Sequence, residues 1–196
     1  NYDIAYLRCV PNMVVATPSD ENEARLLLST CYQHEGPAAV RYPRGTGAGA
    51  EITASLDTVP LGQAVVRRQG KRIALLVFGT LLPAAAEVAQ ALDLTLVDMR
   101  FVKPIDEARI VDLAQTHEAF VTIEEASIMA GAGSAVSEVL QAREILMPVL
   151  QLGLPDKFID HGDQNRLRAL EGLDAEGIRA SIEQRFTELL SSANAA

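Results

Sequence analysis

Apolar residues fall in short blocks that alternate with amphipathic stretches, and the alternation sets the expected order of elements. Met13-Val14-Val15-Ala16 reads as a buried strand closed by Thr17-Pro18-Ser19. Ser19 or Asp20 then offers a helix N-cap, with Glu23 placed as in a capping box. Ala24, Leu27, Leu28 and Cys31 recur at helical spacing and predict one apolar face. Gly36-Pro37 ends that helix, and Ala38 to Tyr42 follows as a strand. Gly45 to about Pro60 shows no period and reads as a linker, with 47–60 as its core.

From Leu61 the pattern becomes a longer strand and helix series. Gly62–Arg68 is a candidate edge strand, and Ile73–Phe78 is a near-continuous apolar run, as expected of a strand covered on both faces. A helix over Thr80–Leu92 tolerates Pro83 in its first turn. Leu94–Met99 is a strand, Asp106 to about Thr116 a helix, Ala119–Ile123 a strand, and Gly131 to about Arg143 a helix. Pro148–Leu152 is the last strand, Asp163–Leu170 a short helix, and Asp174 caps a longer one carrying Ile178, Ile182, Phe186, Leu189 and Leu190. This order predicts an α/β fold, a three-layer Rossmann-like sandwich around a mostly parallel five-stranded sheet. The expected division is 1–46 as one βαβ unit, 47–60 as linker and 61–196 as the main domain. A lone βαβ unit cannot cover both faces of its strands, so it is expected to dock on something outside this chain. The opening Asn1-Tyr2-Asp3, in material that already looks folded, fits the same expectation of a fragment.

Composition narrows the classes. A net charge of −9 lacks the basic face that nucleic acid requires. No run approaches the ~18 apolar residues of a membrane span, and no signal peptide is visible. Cys9 and Cys31 have apolar neighbours and no metal spacing, which predicts buried, reduced thiols and a cytoplasmic setting.

Candidate chemistry centres on Val40-Arg41-Tyr42-Pro43-Arg44-Gly45. Pro43 ends the strand and delivers Arg41 and Arg44 at its carboxyl end, the ligand edge of open α/β sheets. The two arginines are either an anion hook or partners in surface ion pairs. Gly131-Ala132-Gly133-Ser134 could bind an anion at a helix start or serve close backbone packing. Glu124-Glu125 could act as acid and base, or cap a helix or hold an interface. Asp156, Asp160, His161 and Asp163 read as a solvated loop rather than a metal site, and His34 and His117 as groups at helix ends. None of this composes a complete active site.

Several longer strings occur together: Tyr6–Met13, Thr17-Pro18-Ser19-Asp20-Glu21-Asn22-Glu23, Gly36–Gly45, Val97–Asp106 and Gly153-Leu154-Pro155-Asp156. In this order they resemble the 1-deoxy-D-xylulose-5-phosphate synthases, thiamine-diphosphate enzymes of the transketolase superfamily. Ala130 departs from the family's Gly-Gly-Ala-Gly turn. The resemblance implies the last βαβ unit of a pyrimidine-binding domain followed by a whole C-terminal domain. It implies a cytoplasmic homodimer that joins pyruvate to D-glyceraldehyde 3-phosphate with loss of CO2, the first step of non-mevalonate isoprenoid synthesis, feeding thiamine and pyridoxal as well. The ligands of thiamine diphosphate and Mg2+, the activating glutamate and the active-site histidine would lie upstream of Asn1, leaving this piece inactive without its N-terminal part. Carried over by position, Arg44 resembles the anchor for the acceptor's phosphate, with Arg41 a second choice. Two other readings remain: a non-catalytic dimerisation or regulatory module, and the β-subunit of a 2-oxo-acid dehydrogenase. Tyr42-Pro43-Arg44-Gly45 and Asp98-Met99-Arg100-Phe101 favour the synthases over the latter.

Overall fold

The computed structural model of the chain describes residues 1–191, so positions 192–196 of the expected main domain lie outside the described residues. The elements are α1 (Asp3–Arg8), β1 (Val14–Ala16), α2 (Glu21–Gln33), β2 (Ala38–Val40), β3 (Val65–Arg68), β4 (Ile73–Phe78), α3 (Leu82–Ala91), β5 (Thr95–Asp98) and β6 (Phe101–Lys103). They continue as α4 (Glu107–Ala114), β7 (Ala119–Ser127), α5 (Ala132–Ala142), β8 (Val149–Leu154), α6 (Gln164–Leu170), α7 (Ala175–Arg185) and α8 (Thr187–Ser191).

The larger sheet has strand order β3-β5-β4-β7-β8, parallel throughout except for β3, which pairs antiparallel with β5 at one edge. Its central strand explains the unbroken apolar run. Ile73, Leu75 and Val77 face α3 and α7, packing with Val88, Ile178 and Ile182. Ala74, Leu76 and Phe78 point the other way, toward Ile110 of α4 and Val136 and Val139 of α5. All six β4 residues are buried. Each large side chain there contributes ~1.5–3 kcal/mol of burial. Helix starts follow the expected chemistry: Asp20, Asp106, Asp163 and Asp174 each accept a hydrogen bond from the backbone N–H three residues on. Such a cap is worth ~1 kcal/mol.

The N-terminal part is organised differently from expectation. β1 pairs parallel with β2 on one side and antiparallel with β6 on the other, giving a second sheet of order β2-β1-β6. The unit therefore docks on its own chain, through a strand that the sequence reading left inside a connection. Phe101-Val102-Lys103 is too short to show a period, and its partner lies far away in sequence. The helix α1 was also unexpected. Its Ile4 and the β1 residue Val15 enter the same apolar core as Leu76 and Phe120. Its Arg8 donates to the carbonyls of Ala130 and Gly131 at 2.8 and 3.0 Å.

Five further details add to or correct the sequence reading. Leu28 is 61% exposed instead of completing the inner face of α2, and Cys9 is exposed while Cys31 is buried. The last helix breaks at Phe186 into α7 and α8. The expected linker has no regular structure, but it lies along α2 as a strap. Glu21, Asn22, Arg25, Ser29 and Thr30 bond in turn to Gly49 and Ala50, Thr53, Ser55, Leu56 and Val59. Finally, the Glu23 side chain does not reach back to close a capping box.

Glu23 instead belongs to a buried ion cluster. Its Oε1 accepts from Arg67 at 2.8 Å and Arg100 at 2.6 Å. Arg67 also donates to Asp98 at 2.8 Å, and the Ser19 hydroxyl donates to the same Asp98 oxygen at 2.8 Å. Two carboxylates and two guanidiniums thus tie α2 to β3, to β5 and to the turn after β5. Burial works to raise the Glu23 carboxyl, but Arg100 and Arg67 outweigh it and hold it below the ordinary 4.5. Its contribution to stability is accordingly full above that value and is lost as pH falls through the lowered one. Burial pushes Asp98 up, with Arg67 and Ser19 only partly offsetting it. Removing one partner from such a cluster strands the opposite charge. Glu23→Ala is expected to cost about 3–5 kcal/mol in urea denaturation at neutral pH; a loss below about 1 kcal/mol would place the cluster among solvent-screened surface pairs.

Candidate functional site

β2 ends at Val40, and Arg41 continues the ladder by donating its backbone N–H to Ala16 at 2.8 Å. Beyond it the two arginines part company. The Arg41 guanidinium turns inward, its Nε donating to Asp3 at 3.1 Å and its Nη2 to the Glu125 carbonyl at 2.5 Å. Burial works to raise the Asp3 carboxyl, and Arg41 overcomes this to hold it below the usual carboxylate range. Arg41 is therefore committed to joining α1, β2 and β7. Arg44 is exposed, and among the described residues it makes no hydrogen bond or ion pair. The two arginines are therefore not equivalent: one is a half-buried strut paired with Asp3, and the other, among the described residues, is a guanidinium with all its donors available.

A cleft of about 580 Å³ opens between the start of α2, the loop that follows β2, and the starts of α3, α6 and α7. Tyr42, Pro43 and Gly45 line it, but neither Arg41 nor Arg44 does. Its charged wall is mostly acidic, with Asp20, Glu21, Glu87 and Asp174, and Arg168 is the basic lining residue among those described. Arg168 is itself engaged, donating to Glu125 at 2.8 Å and to Thr80 at 3.0 Å. This acidic surface does not suit a phosphate, and Arg44 stands outside it.

Neighbouring residues of a strand point to opposite faces, and this separates Glu124 from Glu125. Glu125 faces Arg168, Gln164 and Thr80, accepting from all three. Glu124 is fully buried and caps α5, its two oxygens accepting from the N–H groups of Ala132 and Gly133, each at 2.8 Å. Gly131 makes room for it, since a Cβ there would overlap the Glu124 carboxylate, while one on Gly133 would lie 2.5 Å from the Thr122 hydroxyl oxygen. The pair is thus not an acid and base sharing one site. The glycine-rich helix start is filled from within, which leaves no cradle there for a diphosphate. No group of three or more His, Cys, Asp or Glu among the described residues could hold a metal ion. Among the described residues, neither this helix start nor any acidic cluster fits thiamine diphosphate or its magnesium.

Asp156, Asp160, His161 and Asp163 all lie exposed, with Asp163 capping α6. His117 sits at the end of α4, its Nδ1 3.0 Å from the Leu113 carbonyl and its Nε2 2.8 Å from the Thr95 hydroxyl; His34 is the C-cap of α2. The sequence reading missed the Glu23–Arg67–Arg100–Asp98 cluster. Its one legible signal was Asp98 at the end of an otherwise apolar strand, a position that demands a partner.

Burial raises Glu124 from 4.5 to about 7, outweighing the two backbone N–H groups that favour its charged form. Between those values the folded state keeps a proton that the unfolded state has lost, so this group's contribution to stability falls as pH rises through that window. Glu124→Gln should abolish that component. The stability difference between wild type and variant is expected to change by on the order of 3 kcal/mol from about pH 4.5 to about pH 7.5 in urea titrations, to the disadvantage of the wild type at the higher pH. Parallel profiles would contradict the assignment.

The profile of the transketolase C-terminal domain matches residues 62–178, and that of the transketolase pyrimidine-binding domain matches residues 1–48. The 1-deoxy-D-xylulose-5-phosphate synthase of Bordetella petrii is 69% identical over 186 residues, covering 95% of this chain and 30% of its own length. That of Cellvibrio japonicus is 55% identical over 195 residues, covering 100% of this chain and 31% of its own. The chain thus spans under a third of these relatives. A solved structure described as a split gene transketolase, inactive beta4 tetramer, superposes with a TM-score of 0.85 at 31% identity, covering 95% of this chain and 62% of that one. With one profile matching more than half of its length and the fold matching over nearly all of it, the chain belongs to the transketolase family.

Proposed function

We propose that this chain is the C-terminal part of a 1-deoxy-D-xylulose-5-phosphate synthase, a thiamine-diphosphate-dependent transferase of the cytoplasm. The full enzyme joins pyruvate to D-glyceraldehyde 3-phosphate with loss of CO2. Thiamine diphosphate with its Mg2+ supplies the carbanion chemistry when bound, and it is held by residues upstream of Asn1. Residues 1–46 complete the pyrimidine-binding domain, 47–60 connect, and 61–196 form the C-terminal domain. The names and identities of the relatives support this reading, as do the family strings.

Within it, Arg44 binds the acceptor's phosphate. The observation that carries this role is its contrast with Arg41: Arg44 is exposed with its guanidinium unpaired among the described residues, whereas Arg41 is spent on Asp3 and the Glu125 carbonyl. A guanidinium presents a fork matched to phosphate oxygens. Arg41 supports the loop from beneath. The piece alone is inactive and acts with the N-terminal part, as a homodimer of the full chain. A split-gene relative whose β chains are described as an inactive tetramer favours assembly without activity for this portion.

The test places this chain in the corresponding C-terminal position of the Bordetella petrii synthase. A charge-assisted hydrogen bond is worth ~1.5–3 kcal/mol. Arg44→Ala is therefore expected to raise the apparent KM for glyceraldehyde 3-phosphate roughly 10–100-fold, with far less effect on that for pyruvate. Steady-state kinetics with each substrate varied in turn decide it, and unchanged acceptor kinetics would remove Arg44 from the site.

A further inference from the structure

The loop that carries Arg44 is fastened at both ends. At the near end, Arg41 holds it through its backbone bond to Ala16 and its side-chain bonds to Asp3 and Glu125. At the far end the first fastening is a carboxylate, ahead of the strap contacts that begin at Thr53. Glu21, in the first turn of α2, accepts from the backbone N–H of Gly49 at 2.7 Å through one oxygen and from that of Ala50 at 3.2 Å through the other. Gly49 has φ +81, the left-handed conformation that lets successive N–H groups converge on one anion. Gly47 passes so close that a Cβ would overlap the Glu21 carboxylate. The Gly49 N–H is the foremost cause holding this carboxyl below the usual carboxylate range. Between the two fastenings Arg44 has no partner of its own among the described residues. Its position is therefore inherited from the loop.

We propose that Glu21 is a positioning residue for phosphate recognition: by clasping Gly49 and Ala50 it presents the Arg44 guanidinium at one fixed place. The proposal rests on the reading of Arg44 as the phosphate anchor. A guanidinium on a loose loop must be ordered each time it binds, whereas one on a clamped loop is ordered in advance. Glu21 itself touches no substrate. Its loss should therefore lower the advantage of a phosphorylated acceptor rather than the chemistry common to all acceptors.

The readout is the ratio of kcat/KM for D-glyceraldehyde 3-phosphate to that for unphosphorylated D-glyceraldehyde, in the same full-length chimera. Glu21→Gln exchanges one accepting oxygen for an NH2 that opposes the backbone N–H, and it should reduce the ratio about 5–10-fold. Gly47→Ala disturbs the clasp from the loop side and should act in the same direction, which covers the case of a poorly folded Glu21 variant. In an Arg44→Ala background, Glu21→Gln should have no further effect on the ratio. A wild-type ratio in both Glu21→Gln and Gly47→Ala overturns the proposal, and so does the same loss with and without Arg44. If Arg44→Ala alone leaves the ratio unchanged, the phosphate reading falls and Glu21's role falls with it. If Arg44→Ala lowers the ratio and the clasp variants do not, only the positioning role is lost.

Discussion

The structure depends on what satisfies the backbone of β1. A short strand in the chain's interior exposes N–H and C=O groups on both edges, and unpaired groups removed from water cost several kcal/mol between them. β2 supplies one edge, and β6, nearly ninety positions later in the chain, supplies the other. That second pairing turns a βαβ unit into part of one body with the larger domain. It brings α2 over the end of β5, where Glu23 and Asp98 meet Arg67 and Arg100. The ion cluster follows from the pairing: once the surfaces close, each charge needs an opposite charge within reach.

The same rule governs the carboxylates that invite a catalytic reading. Glu124 fills the N-terminus of α5, Glu125 meets Arg168, and Glu21 gathers the strap. Each is explained by the donors that the fold places beside it. A carboxylate beside a glycine-rich turn looks like chemistry in sequence. In space, at Gly131 and Gly47, the carboxylate occupies the room that a Cβ would need.

This bears on what was legible. The larger sheet could be read because Ile73–Phe78 is long enough to declare burial on both faces and because aspartates punctuate the helix starts. α1 and β6 were hidden, since six and three residues carry too little period and their partners are distant in sequence. Glu23 was legible as a capping-box residue by spacing, but tertiary charges outbid the local bond. Arg41 and Arg44 were indistinguishable by spacing, because nothing local says that Asp3 and the Glu125 carbonyl will stand beneath one of them. Ala130 shows a pattern gaining a physical meaning: its φ of 57 lies in the left-handed region, where glycine costs nothing and alanine roughly 1–2 kcal/mol.

On the proposed reading of Arg44, a phosphate hook away from the reacting atoms has a definite mechanical role. Phosphate lies at the end of an acceptor remote from its reacting carbonyl, and energy gained there accelerates the bond-forming step only if it fixes where the carbonyl sits. An arginine on a freely moving loop would hold the acceptor without aiming it. Here the near end of the loop is locked by the half-buried Arg41 guanidinium and the far end by the Glu21 carboxylate, with the proposed phosphate arginine between them. On that reading, the folding role of Arg41 and the exposure of Arg44 are two parts of one device: rigidity beneath the loop is what would make an unpaired charge above it useful.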